Sequence, residues 1–124
     1  MAQVTTDRTQ LGSTLTTVVD SEQTLDTDLN LRTRYGAQIE VLVNSDQATP
    51  TDEIICRMRL SMDDTVYSTL PWQEFPIGLP GDTNDFSYLF NLPRGLWYVR
   101  FGFLAAGSTD IYSVKLFEGQ ITGI

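Results

Sequence analysis

The side chains with chemistry to offer in this chain are carboxylates. Asp26 and Asp28 flank Thr27, Asp63 and Asp64 are adjacent, and Asp82 and Asp85 enclose Thr83 and Asn84. Calcium takes roughly six to eight oxygen ligands, which Asp-dense loops can supply. None of the three clusters has the fixed ligand spacing of a calcium loop, however, and Asp is an ordinary turn residue because its side chain bonds nearby backbone. We read all three as turns. A glycosidase would need two carboxylates across a cleft, one of them with a raised pKa, and no long loop here builds a cleft. The chain has no histidine, which removes Ser-His-Asp and Cys-His relays, an imidazole base and the usual zinc and iron sites. Its one cysteine, Cys56, falls inside a strand pattern and reads as a buried structural thiol, with no intramolecular disulfide available. No catalytic, cofactor-binding or metal-binding residue is expected, and no cofactor.

The balance of charge points the same way. Sixteen acidic residues against eight basic ones give a formal charge of −8. A protein that neutralises phosphates needs clustered Lys and Arg, and the basic residues here are scattered, so nucleic acid is not an expected partner. An acidic surface favours a partner with basic patches. No apolar run approaches the roughly eighteen residues of a membrane span. The segment Met-Ala-Gln-Val-Thr-Thr at positions 1–6 lacks the basic and apolar regions of a signal peptide, so the protein is expected to be made in a cytoplasm and to have no membrane partner.

The elements that must position any surface are strands. From Trp97 onward Trp97, Val99, Phe101 and Phe103 alternate with Tyr98, Arg100 and Gly102, the period of a half-buried strand. Residues 111–117 alternate again, and the two segments read as a hairpin behind a turn at Pro93-Arg94-Gly95. Further strands are expected at 15–19, 25–31, 37–43, 54–62, 65–70 and 86–90, with residues 120–124 as a tail completing an edge. In 54–62, Ile54, Cys56, Met58, Leu60 and Met62 share one face, and Arg57 and Arg59 lie on the other, either as solvated charges or as a contact patch.

Two segments break the pattern. Residues 1–12 are polar, rich in Thr and Gln and without periodicity, and read as an extended arm that is either disordered or ordered against a neighbouring molecule. Residues 71–80 carry Pro71, Pro76 and Pro80, which deny ladder hydrogen bonds, so they read as a long loop. That loop also carries Trp72, Phe75, Ile77 and Leu79, as either a plug over the sandwich end or a contact surface. No segment has a helical period. The expected fold is all-β, an antiparallel β-sandwich or jelly-roll-like domain of roughly eight strands over residues 13–124. Among the aromatic residues Trp97 is expected in the core, which leaves Trp72 as the one platform for a sugar, as in carbohydrate-binding sandwich modules.

The C-terminal third carries a resemblance. Leu92-Pro93-Arg94-Gly95, then Trp97-Tyr98-Val99-Arg100-Phe101, a Gly-Ser loop and the strand Tyr112 to Leu116 resemble the ending of small bacteriophage virion proteins that decorate or cement capsids. The resemblance covers about a third of the chain; the arm at 1–12 and the Trp72 loop depart from it. It implies a non-enzymatic protein on the outer surface of a virion head, bound at junctions of the major capsid protein as a homo-oligomer, a trimer by preference. Many small contacts on a lattice act multivalently. Val4 and Leu11 in the arm, Trp72, Phe75 and Ile77 in the proline-rich segment, and Arg57 and Arg59 are the expected partner contacts. The rival expectations are another virion subunit, of tail, neck or fibre anchor, and a carbohydrate-binding module.

Overall fold

The structure is a computed structural model and describes residues 4–5, 8–78 and 84–123. Its elements are β1 (Val4–Thr5), β2 (Thr9–Gln10), β3 (Leu15–Val18), β4 (Gln23–Thr24), β5 (Leu29–Asn30), β6 (Ala37–Ser45), β7 (Ile54–Ser61), β8 (Gln73–Gly78), β9 (Asp85–Leu92), β10 (Tyr98–Ala105) and β11 (Tyr112–Gly123). The first three short strands all pair with β11, which pairs on its other side with β6, and β6 with β9. In the second sheet β4 and β5 both pair with β10, then come β7 and β8. Every pairing is antiparallel. With β1–β3 taken as one interrupted strand and β4–β5 as another, eight strands remain. Their order, first-eighth-third-sixth facing second-seventh-fourth-fifth, is that of a jelly roll. The all-β sandwich expected from the alternation is the observed fold.

Alternation places the core between the sheets. Ile39, Val41 and Val43 of β6 and Val114 and Leu116 of β11 are buried against Ile54, Cys56 and Met58 of β7 and Val99, Phe101 and Phe103 of β10. The outward face of β10 is part of the second sheet's polar layer. There Glu22 lies over Gly102, where an added Cβ would meet its carboxylate oxygen at 2.6 Å, and is held by Arg59 at 2.8 Å and Arg57 at 3.2 Å. Glycine inside a strand here marks a close approach.

Several expectations are corrected. Residues 98–105 and 112–123 do not form a hairpin: β10 lies in one sheet and β11 in the other, and the chain crosses between them. Strand β11 continues through Gly119, where the sequence suggested a turn, and is central. Residues 73–78 are a strand after all. Strand β8 is the outer edge of its sheet, where a proline costs no ladder bond if its nitrogen faces outward, and Pro76 sits opposite Ile55 beside a register shift. Residues 65–70 form no strand. Trp97 lies just before β10 and is exposed, and Met62 lies just beyond β7 and is exposed.

At the end carrying the β6–β7 and β10–β11 connections, two carboxylates hold the loops together. Asp110 Oδ2 accepts the backbone N–H groups of Thr51 and Asp52 at 2.8 and 2.6 Å. Asp52 Oδ2 accepts those of Thr109 and Asp110 at 2.7 and 2.9 Å. The hydroxyl of Tyr112 donates to the Asp52 carbonyl, and Asp110 is fully buried. This reciprocal clasp satisfies backbone donors that a sheet cannot reach.

Candidate docking surface

The other end of the sandwich carries the connection between β7 and β8, and its polar residues are turned inward on the backbone. Ser61 Oγ accepts the N–H groups of Asp63 and Asp64 at 3.2 and 3.0 Å. Asp63 in turn accepts from Thr65 N and Val66 N, both at 3.0 Å, and from Ser61 Oγ at 2.9 Å. Those backbone donors from Val66 and Thr65 hold the Asp63 carboxyl below its ordinary value. Asp64 takes a left-handed backbone with φ of 60°, a conformation Asp tolerates better than most residues, and accepts from the Tyr67 hydroxyl at 2.6 Å. Burial, then that bond, push the Tyr67 hydroxyl pKa up. Arg100 stacks 3.9 Å from the Tyr67 ring centre and pairs with Asp28 through two bonds of 3.0 Å. Ser68 N reaches the Leu60 carbonyl at 3.0 Å and Trp72 N the Met58 carbonyl at 2.7 Å.

A loop whose polar atoms are spent on itself must send its apolar side chains outward. Met62 is 75% exposed, Val66 72% and Leu70 79%. With Leu60, Tyr67, Leu96 and Trp97, the first two line an open groove of 890 Å³ between this loop and the turn at Gly95. Trp97 is 44% exposed. The turn is braced from the neighbouring connection: Leu31 N donates to the Trp97 carbonyl at 2.6 Å, and the Arg32 guanidinium stands 5.3 Å from the Trp97 ring. Arg94 stands at the same distance from the ring of Tyr35. Gly36 allows the close crossing of these two connections, since a Cβ there would collide with the Leu92 carbonyl.

The expected contact residues are distributed differently. Leu11 is buried in the protein's own core and its N–H donates to the Leu116 carbonyl at 2.8 Å, so it packs against β11. Ile77 is buried in the same core. Phe75 packs 5.6 Å from Tyr88 and 5.3 Å from Phe90, closing the sandwich between β8 and β9. Arg57 and Arg59 share Glu22, and Arg57 also meets Glu74 at 3.2 Å, so both are neutralised within the chain. Trp72 is partly exposed. Val4 pairs through its backbone opposite Gly123; the side chains of residues 1–7 lie outside the described set, as does Leu79. The described end of the arm, residues 8–12, runs along β11, with Arg8 stacked 3.5 Å from the Phe117 ring centre and paired with Glu40 at 2.6 Å. Sequence alternation places Met62 and Val66 in strands and Trp97 in the core, whereas the structure leaves all three outside strands and exposed. The signal that could have found them is Ser61-Met62-Asp63-Asp64, a concentration of side chains that bond local backbone.

Fold and surface together define a two-sheet jelly-roll domain with an apolar groove at one end. No protein-family model matches the chain, and no curated protein matches it. Among solved structures it is similar to the SPBc2 prophage-derived protein YomS, with 12% sequence identity over 98% of this chain and 96% of that one and a TM-score of 0.49.

Proposed function

We propose that this protein is a non-enzymatic structural subunit of a phage virion that decorates the outside of the head and stabilises it, docking through the groove of Met62, Val66 and Trp97 onto the major capsid protein. The observation that carries the reading is the internal hydrogen bonding of the loop behind the groove. Its hydrogen bonds are satisfied internally, so presenting Met62, Val66 and Leu70 costs little further ordering when a partner covers them. Exposed apolar residues on an otherwise acidic protein are a poor arrangement for a free monomer and a good one for a subunit that ends on a lattice. The resemblance of residues 92–101 to capsid-decorating proteins supports the same reading. Binding that occurs only on the intact shell raises the shell's apparent stability by mass action.

The test is occupancy of purified heads. Met62→Asp and Val66→Asp are expected to leave the fold intact, because both side chains point into solvent, and to lower head affinity at least about tenfold, since a charge is desolvated at the contact. Wild-type protein that co-sediments with tails and not heads would favour the tail or neck alternative. Binding that survives both substitutions would remove the groove from the mechanism. The exposed ring of Trp97 favours one further reading, a glycan-binding face, which predicts that Trp97→Ala abolishes retention on a glycan array while Val66→Asp leaves it unchanged.

A further inference from the structure

Of the four outer positions in the two sheets, two are held by long continuous strands, β8 and β9, and these are built differently. Strand β8 carries Pro76, a register shift and Glu74, the devices that keep an edge from pairing with another chain. Strand β9 has none of them. It is eight residues long, pairs with β6 without a shift, contains no proline or lysine, and its single charge is the terminal Asp85. Its backbone direction follows from the ladder. Ser45 N donates to the Asn84 carbonyl at 2.8 Å in the same register that sets Val43 opposite Phe86 and Val41 opposite Tyr88. Hydrogen-bonded pairs recur every second residue in an antiparallel ladder. Phe86, Tyr88, Phe90 and Leu92 therefore bond to β6, and Ser87, Leu89 and Asn91 turn their N–H and C=O groups away from the sheet. Among the described residues no strand pairs with that side.

We propose that β9 pairs antiparallel with β9 of a second copy of this chain, about a two-fold axis at Leu89. The strand is self-complementary in that register. Leu89 meets the second copy's Leu89, and Ser87 meets the second copy's Asn91, each pair exchanging both backbone bonds. The intervening pair sets Tyr88 beside the second copy's Phe90, extending the aromatic row that Phe75 already packs against. Asp85 falls opposite Pro93 of the second copy, so no like charges are opposed. Leu89, now 55% exposed, is covered by its twin. The two sheets become one continuous sheet, and the symmetry is that of an isologous dimer. This is a two-fold assembly, where the resemblance to cement proteins implies a trimer.

Mass in solution, by sedimentation from micromolar to near-millimolar protein, tests it without any head particle, so the result is independent of the capsid reading. The wild type is expected to reach a dimer that tightens with added salt, because each copy carries −8 and the salt screens their repulsion. Leu89→Lys sets two like charges opposite each other at the axis and is expected to raise the dimer dissociation constant about tenfold or more. The same substitution reduces the net negative charge, so association driven by overall charge would instead strengthen. Leu89→Cys is expected to form a disulfide-linked dimer on mild oxidation, since hydrogen-bonded antiparallel pairs hold Cα atoms about 5.5 Å apart, within disulfide range. Buried Cys56 stays silent in that experiment. A monomer throughout, a trimer, or a dimer that Leu89→Lys leaves unchanged and Leu89→Cys fails to cross-link would overturn the proposal.

Discussion

At the residue scale several carboxylates of the chain bond its own backbone, Asp63, Asp26, Asp52 and Asp110 among them. Asp63 illustrates the consequence. Its carboxylate is held in the charged form by N–H groups of Val66 and Thr65 and by the Ser61 hydroxyl, so its pKa in the folded protein lies below the ordinary 3.8. Asp26 is lowered in the same way by the backbone and hydroxyl of Ser13. A group whose folded pKa is depressed adds stability above its unfolded pKa and loses it as pH falls through the folded value. The thermal midpoint is therefore expected to fall as pH drops below about 4, and Asp63→Asn to flatten that fall while lowering the midpoint at neutral pH. Equal slopes for wild type and variant in a pH series would show that Asp63 is not part of the acid response. Cys56 is the opposite case: burial, with a smaller contribution from Glu22, pushes its thiol pKa far up, so the thiol is inert and its place is one of packing.

At the element scale, the loops of this sandwich are held by side chains where the sheets cannot hold them. Asp110→Ala would leave the N–H groups of Thr51 and Asp52 without their acceptor and open the clasp between the β6–β7 and β10–β11 connections. A loss of about 2–3 kcal/mol in unfolding free energy is expected from chemical denaturation, and a change below about 0.5 kcal/mol would mean that water replaces the carboxylate without cost. The sequence foreshadows the strands far better than these clasps. Alternation in β6, β7, β9 and β10 records which residues face the core, so the strands and the all-β class were legible. Alternation does not record a partner. Strands β10 and β11 each turn one face to the same core from opposite sheets, a pattern that a hairpin also gives, and the crossover was hidden for that reason. Pro76 excludes a strand only at a central position, and β8 is an edge. The groove was invisible because Val66 and Tyr67 have strand-like residue types, and it is the bonds of Ser61, Asp63 and Ser68 that turn that segment into a loop.

At the scale of the whole molecule, the proposed docking through the groove and the proposed pairing through β9 would combine into a specific geometry. The groove lies at the end of the strands beside Gly95 to Trp97, and the two-fold axis passes through Leu89. Antiparallel pairing turns the second copy's groove to the opposite end of the shared sheet. At about 3.4 Å per residue the two grooves stand at most about 50 Å apart along the strands. Such a dimer lying flat on a shell would act as a strut between two capsid sites, its second contact made at the high effective concentration set by the first. Leu89→Lys leaves every groove residue in place and removes only the coupling. At limiting protein it is expected to weaken head occupancy about tenfold or more, and at saturating protein to fill the same number of sites with faster release. Val66→Asp on the same heads is expected to weaken each copy's own contact about tenfold or more, in the Leu89→Lys background as well as alone, which separates loss of contact from loss of coupling. Should Leu89→Lys and wild type give superimposable binding curves and release rates, the copies bind the shell independently, and the strut is ruled out even if β9 pairs in solution.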